Sequence, residues 1–174
     1  MKWFHFPAAA LLLVASLPWG IALAETVNRD ATLNIAYGKR PGTLDPYLTT
    51  NSATTDVVRH IFEQLFTIND RFEPVPELVE RYSLSDDRKV YTFVLRDGIR
   101  FHDGQPLTAD DVGASMNRWL AVSTQGKANL PGAQFSRIDD RTVQLVAQTP
   151  FLITLNVLAD LKNLFSIMLK RLIV

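Results

Sequence analysis

Beyond the first 24 residues, the side chains best suited to acid–base or metal chemistry are His60, His102 and three aspartate pairs, Asp86-Asp87, Asp110-Asp111 and Asp139-Asp140. His102 stands next to Asp103, a pairing that orients an imidazole for proton transfer or begins a metal site. It equally makes a hydrogen-bonded turn, and the Gly104 that follows points to the turn. His60, with Arg59 and Glu63 beside it, reads as part of a solvated helix face. Asp110 and Asp111 follow Thr108 at the spacing of a helix start, where capping and the helix dipole account for both. The other two pairs sit between β-patterned runs, where aspartate favours turns. The sequence has no cysteine, which excludes thiolate catalysis, cysteine zinc sites and disulfides. It also lacks the serine-elbow, metalloprotease, phosphate-loop and dinucleotide-loop motifs. The expectation is a non-enzyme with no metal and no cofactor.

The elements that would position these residues follow from periodicity. Thr32–Tyr37 alternates as a short strand, with Leu33, Ile35 and Tyr37 on one face. Gly38–Pro46 is a loop. Ser52–Ile68 places Val58, Ile61, Phe62, Leu65 and Phe66 on one helical stripe. Ser52, Thr54 or Thr55 is the candidate cap, and Asp56 falls in the expected first turn. Glu73–Glu80, with Pro74 and Pro76, holds a helical turn at most. Tyr82–Leu84 and Val90–Leu95 form a hairpin. Asp97-Gly98 and Asp103-Gly104 are turns around a short strand at Ile99–Phe101. Thr108–Ala121 is a second helix, with a Thr108/Asp111 capping box and a stripe of Val112, Met116, Trp119 and Leu120. Ser123–Ala133 reads as a loop, Gln134–Ile138 with Arg141–Ala147 as a second hairpin, and Phe151–Ala159 as a short helix. The apolar stretch Asn163–Val174 follows. This order gives an α+β or mixed α/β domain.

The N-terminus reads as an export signal. Lys2 supplies the positive start, Ala8–Leu17 is an uncharged apolar run, and Ala22-Leu23-Ala24 is an A-x-A cleavage site. The run is about half of the ~20 residues that span a bilayer. Cleavage after Ala24 removes one lysine from a chain of 18 basic and 18 acidic residues, leaving a net charge of −1. Such a balance attracts neither nucleic acid nor anionic lipid. With no cysteine after the signal, a soluble periplasmic product without a lipid anchor is expected.

Residues 80–118 carry a long pattern: Glu80, Tyr82, Ser85, Asp87, then Tyr91-Thr92-Phe93, Leu95-Arg96, Gly98, Phe101-His102-Asp103-Gly104, Pro106, Thr108-Ala109, Asp111-Val112, Ser115 and Arg118. It resembles the signature of the extracellular solute-binding proteins of family 5, the dipeptide, oligopeptide and nickel-type receptors of ABC importers. Leu44-Asp45-Pro46, Glu63-Gln64-Leu65-Phe66, Pro150-Phe151, Ala159-Asp160 and Ile167-Met168 with Lys170-Arg171-Leu172 extend the resemblance. Two positions depart from it: Arg88 stands where the hairpin turn commonly has glycine, and Leu169 where proline is common.

The resemblance implies a periplasmic binding protein-like fold of type II. Residues 1–24 would be the signal peptide and 25–174 the N-terminal part of the family domain, including most of its small inserted domain. It implies capture of a small solute, a short peptide above all, and delivery to the permease subunits of an ABC importer in the inner membrane. Nickel chelates, haem and oligosaccharides are used by relatives. Ligand contacts in such receptors come from loops at strand ends, which here points to Tyr37, Gly38, Thr50, Asn51 and Ser52. The N–H groups of the first helix would meet a ligand carboxylate or amide, or Ser52 would simply cap. Because family members look about three times longer, weak binding and self-association of this chain are expected. The other reading is an inert, truncated envelope fragment.

Overall fold

The computed structural model describes Thr32 and residues 34–160. The expected export signal at residues 1–24, Leu33 and the apolar stretch Asn163–Val174 lie outside the described residues. The chain divides into two compact units after Ala36. The expected strand Thr32–Tyr37 does not form over its described residues: they carry no regular structure, and Ile35 is 69% exposed. Alternation makes a strand only where another strand supplies the ladder, and none of the strands among the described residues pairs there.

In the second unit the elements run in the order α1 (Ser52–Val58), β1 (Phe66–Ile68), β2 (Pro74–Pro76), β3 (Val79–Leu84), β4 (Val90–Leu95), α2 (Ala109–Val122), α3 (Thr124–Asn129), β5 (Gln134–Arg137), β6 (Thr142–Val146) and α4 (Thr154–Ala159). β3, β4, β6 and β5 lie in that spatial order as a wholly antiparallel four-stranded sheet. The register sets Tyr91 opposite Leu145 and Phe93 opposite Val143, so one face gathers Tyr91, Phe93, Leu95, Val143, Leu145 and Phe135. That face packs on Val112, Met116 and Trp119 of α2, three of the four stripe residues the sequence marks; Ala109 joins them and Leu120 is only partly buried. The capping box forms as read: the Asp111 amide donates to Thr108 Oγ1 at 3.4 Å, and the Thr108 amide donates to Asp111 Oδ2 at 3.0 Å. Asn117, on the same helix, donates to the Phe135 carbonyl and accepts from its amide, both at 2.8 Å. Its carboxamide thus stands in for a neighbouring strand and covers the outer edge of β5.

Three expectations are corrected. The helix predicted over Ser52–Ile68 stops at Val58; Leu65 and Phe66 are buried as the stripe requires, but from an extended segment bonded to Leu78 and Val79. Four of the seven residues of α1 are β-branched, which weakens its propagation, and a short apolar run fits helix and strand alike. Pro74 and Pro76 lie in β2, paired with Ile68 and Phe66 in a two-stranded ribbon, where both strands are edges and proline is tolerated. Asn69 closes that ribbon by accepting from the Arg71 and Glu73 amides. The predicted loop Ser123–Ala133 contains α3, with Ser123 as its N-cap. Phe66 packs edge-on against Phe93 at 5.6 Å and Tyr82 at 5.4 Å, joining the ribbon to the main sheet.

The β3–β4 turn accommodates its missing glycine by placing Arg88 at φ 58°, a left-handed conformation. The Ser85 hydroxyl and, less strongly, the Lys89 amide donate to Asp87, which holds that carboxyl below its usual range. Arg88→Gly should remove the Cβ strain and raise stability by about 0.5–1 kcal/mol, read as a higher melting temperature. A lower melting temperature would show that the turn gains more from the arginine than it loses in strain.

Candidate functional site

The segment leading into α1 is built from side-chain-to-backbone turns. Thr43 Oγ1 accepts from the Asp45 amide, Asp45 Oδ1 from the Tyr47 amide, Thr49 Oγ1 from the Asn51 amide, and Asn51 Oδ1 from the Ala53 amide at 2.8 Å. Asn51, not Ser52, Thr54 or Thr55, is therefore the cap of α1. Thr54 lies inside α1 and donates to the Thr43 carbonyl at 2.8 Å.

Two contacts fasten this segment to α2. Arg118 makes a two-pronged ion pair with Asp45, 3.1 Å to Oδ1 and 2.5 Å to Oδ2, and its guanidinium lies 5.3 Å from the centre of the Tyr47 ring. The Tyr47 phenol shares a hydrogen bond with Ser115 at 2.9 Å. Asp45-Pro46, Ser115 and Arg118 all belong to the pattern that carries the resemblance, and here they meet.

Burial pushes the Tyr47 phenol well above its ordinary pKa of 10.0, against the smaller opposing pulls of Ser115 and Arg118. A folded-state pKa above the unfolded one gives stability that is fully present below about pH 10. It is lost as pH rises further, at up to ~1.4 kcal/mol per pH unit for this group. Tyr47→Phe should flatten this alkaline loss between about pH 10 and 11 in chemical denaturation. An unchanged slope would mean that the phenol ionises in the folded state as easily as in the unfolded one.

Past this anchored segment, Thr50 and Ser52 line an open cleft of about 470 Å³ together with Thr55, Asp56 and Arg59 of the α1 region, Gln125 of α3 and Asp160. The exposed Tyr37 phenol donates to Asp56 and also meets Ser52; the Asp56 bond leads in raising its pKa. Of the five sequence candidates, the structure brings Tyr37, Thr50 and Ser52 together at this cleft. Asn51 is occupied by capping, and Gly38 has open space around its Cα. The seven-residue α1 offers no free amide at its second position, since Asn51 takes it.

Sequence reading missed Asp56, Arg59, Gln125 and Asp160 as cleft residues. The sequence pattern places Asp56 in a helix's first turn, yet no acidic residue occupies the first turn of α1. Its i,i+3 spacing to Arg59 was the available local signal. Gln125 and Asp160 come from distant segments, and no local pattern links them. His60 lies past the end of α1, and His102 is exposed in its turn, where Asp103 accepts from the Gln105 amide at 3.0 Å. Neither histidine lines the cleft.

Residues 73–171 match the family described as bacterial extracellular solute-binding proteins, family 5 middle. The chain is 35% identical over 144 residues to a probable peptide ABC transporter periplasmic-binding protein of Sinorhizobium fredii, covering 82% of this chain and 26% of that one. It is 40% identical over 138 residues to the oligopeptide-binding protein OppA of Bacillus subtilis, covering 68% and 25%. Among solved structures, the unliganded open form of the periplasmic murein tripeptide-binding protein MppA superposes with a TM-score of 0.66 at 26% identity, covering 75% of this chain and 29% of that one. The binding protein AgaA of Agrobacterium tumefaciens, in complex with agropinic acid, does so with a TM-score of 0.65 at 30% identity, covering 76% and 27%. The chain thus spans about a quarter of the length of these relatives, shares their mixed α/β periplasmic binding protein fold, and matches transport proteins by their names. It belongs to the bacterial extracellular solute-binding proteins of family 5.

Proposed function

We propose that this chain contributes to solute capture for an ABC importer, that residues 1–24 export it to the periplasm, and that the solute is a short peptide. Thr50 and Ser52 form one wall of the ligand site with Asp56, Arg59, Gln125 and Asp160, and Tyr37, Gly38 and Asn51 flank it. The cleft itself carries the reading: hydroxyls, a carboxamide, two carboxylates and a guanidinium face one open space, the mixture of partners that peptide amides and termini need. The names of the relatives support the peptide class. The partners are permease subunits of the inner membrane, and the chemistry is reversible binding.

A ligand in an open cleft is buried on one side only, whereas small-molecule sites commonly bury ~70–90% of their guest. Losing about 4 kcal/mol in this way turns a micromolar site into a millimolar one. Calorimetry with peptides of two to five residues should therefore give dissociation constants in the ~1 mM range, weakened further by Ser52→Trp, which fills the cleft. Equal binding by the variant would remove the cleft from the account, and binding of nickel or an oligosaccharide in place of peptides would overturn the solute class.

A further inference from the structure

We propose that the exposed Phe72 ring, at the tip of the β1–β2 ribbon, is a docking knob for a second copy of this chain, which receives it in the apolar pocket between α2, α3 and the approach to β5.

The tip is built to hold that ring out. Phe72 is 83% exposed and has φ 61°, a left-handed conformation that glycine adopts freely and a bulky residue rarely does. Its neighbours enforce it. The Asn69 carbonyl accepts from the Phe72 amide at 2.9 Å, and the Asn69 amide donates to the Glu73 carbonyl at 3.1 Å. The Asn69 side chain accepts from the Arg71 and Glu73 amides and donates to the Glu73 carboxylate. Strain that the surroundings over-determine in this way points to a site of use. A large ring fixed on a braced turn loses little freedom on binding, which suits an interface anchor.

The pocket that fits it lies at the opposite edge of the main sheet. β2 leads into β3, and Phe66 of the ribbon stacks edge-on with Tyr82 of β3, so the knob flanks one edge strand. Ala133, in the pocket wall, leads into β5, the other edge strand. The pocket holds about 410 Å³, the room of about a dozen waters, which admits one phenyl ring. It exposes more apolar than polar surface: Leu120, Ala121, Pro131 and Ala133 form its walls and Leu130 its floor.

Charge favours the same pairing. Asp70, Arg71 and Glu73 flank the ring, two carboxylates to one guanidinium, and Lys127 is the one charged residue among the described residues lining the pocket. A knob at one edge and a hole at the other make a head-to-tail contact that repeats from copy to copy. One ring and one rim pair bury less than the ~1,200 Å² of a stable interface, so the contact is weak and transient.

The test is sedimentation equilibrium of the full chain from about 20 μM to about 1 mM, with backbone resonances followed over the same range. The average mass should rise with concentration, with shifts at residues 70–73 and at Ala121, Lys127 and Ala133. Phe72→Gly should abolish the rise and lift the melting temperature by about 2–4 °C; loss of association with a gain in stability separates a docking ring from a structural one. Lys127→Glu should weaken association about threefold, and Asp70→Lys added to it should restore it. A constant mass up to about 1 mM, association that survives Phe72→Gly, or shifts at Tyr82 and Leu84 of the β3 edge in place of the two sites would overturn the proposal.

Discussion

Gly126→Ala is expected to destabilise the fold by about 2–3 kcal/mol, because there is no room for one methyl group at this position. A Cβ built on Gly126 falls 2.7 Å from the Trp119 carbonyl oxygen, 3.0 Å from the Leu120 Cα and 3.1 Å from the Trp119 ring. Two of these neighbours are backbone of α2, and the third is a buried ring, so none can swing aside. Relief requires α3 to move away from α2. That shift separates Gln125 from Thr50, which line the cleft together, so peptide affinity should fall along with the melting temperature. A melting temperature within ~1 °C of the parent would show that α3 docks more loosely than described.

Arg118→Ala comes next, with an expected loss of about 2 kcal/mol. The pair with Asp45 is roughly four-fifths buried, so removing the guanidinium leaves a carboxylate with reduced access to water and a Tyr47 ring without its cation. The loss should be local as well as global: amide exchange should accelerate at Asp45–Ser52, while β4 and β6 keep their protection. Arg118→Lys should recover only part of the loss, since an ammonium cannot match both carboxylate oxygens. Uniform acceleration across the sheet would show that Arg118 supports the core and not the segment that carries Thr50 and Ser52.

What could be read from sequence depended on how local the determinants are. α2 was legible almost to the residue because its cap, its box and its stripe all lie within fifteen positions. The two main hairpins were legible because alternation and turn aspartates coincide; the Arg141 and Thr142 contacts that hold Asp139 below the usual carboxylate range are of this kind. Phe66 was misplaced because its partner Pro76 is ten residues away, and nothing in the local period separates a buried helix end from a three-residue strand. Residues 34–37 were misplaced for the reverse reason, an alternating run without a partner among the described strands.

The candidate site was half legible. Tyr37, Thr50 and Ser52 were reached through the family resemblance, not through periodicity. Asp160 and Gln125 join them from 73 to 123 residues away, a distance that only folding closes. Asp45 and Arg118, 73 positions apart, were both present in the quoted pattern, but the pattern gave no sign that they touch.

The central claim is that the cleft beside Ser52 receives the solute. The most direct measurement is backbone chemical-shift mapping of the isotope-labelled chain as trialanine is added to about 50 mM, well above a ~1 mM dissociation constant. The account predicts saturable shifts at Thr50, Ser52, Thr55, Asp56, Arg59 and Gln125, with the outer sheet face at Thr92 and Gln144 unmoved. Shifts confined to that sheet face, or none at saturation, would contradict it.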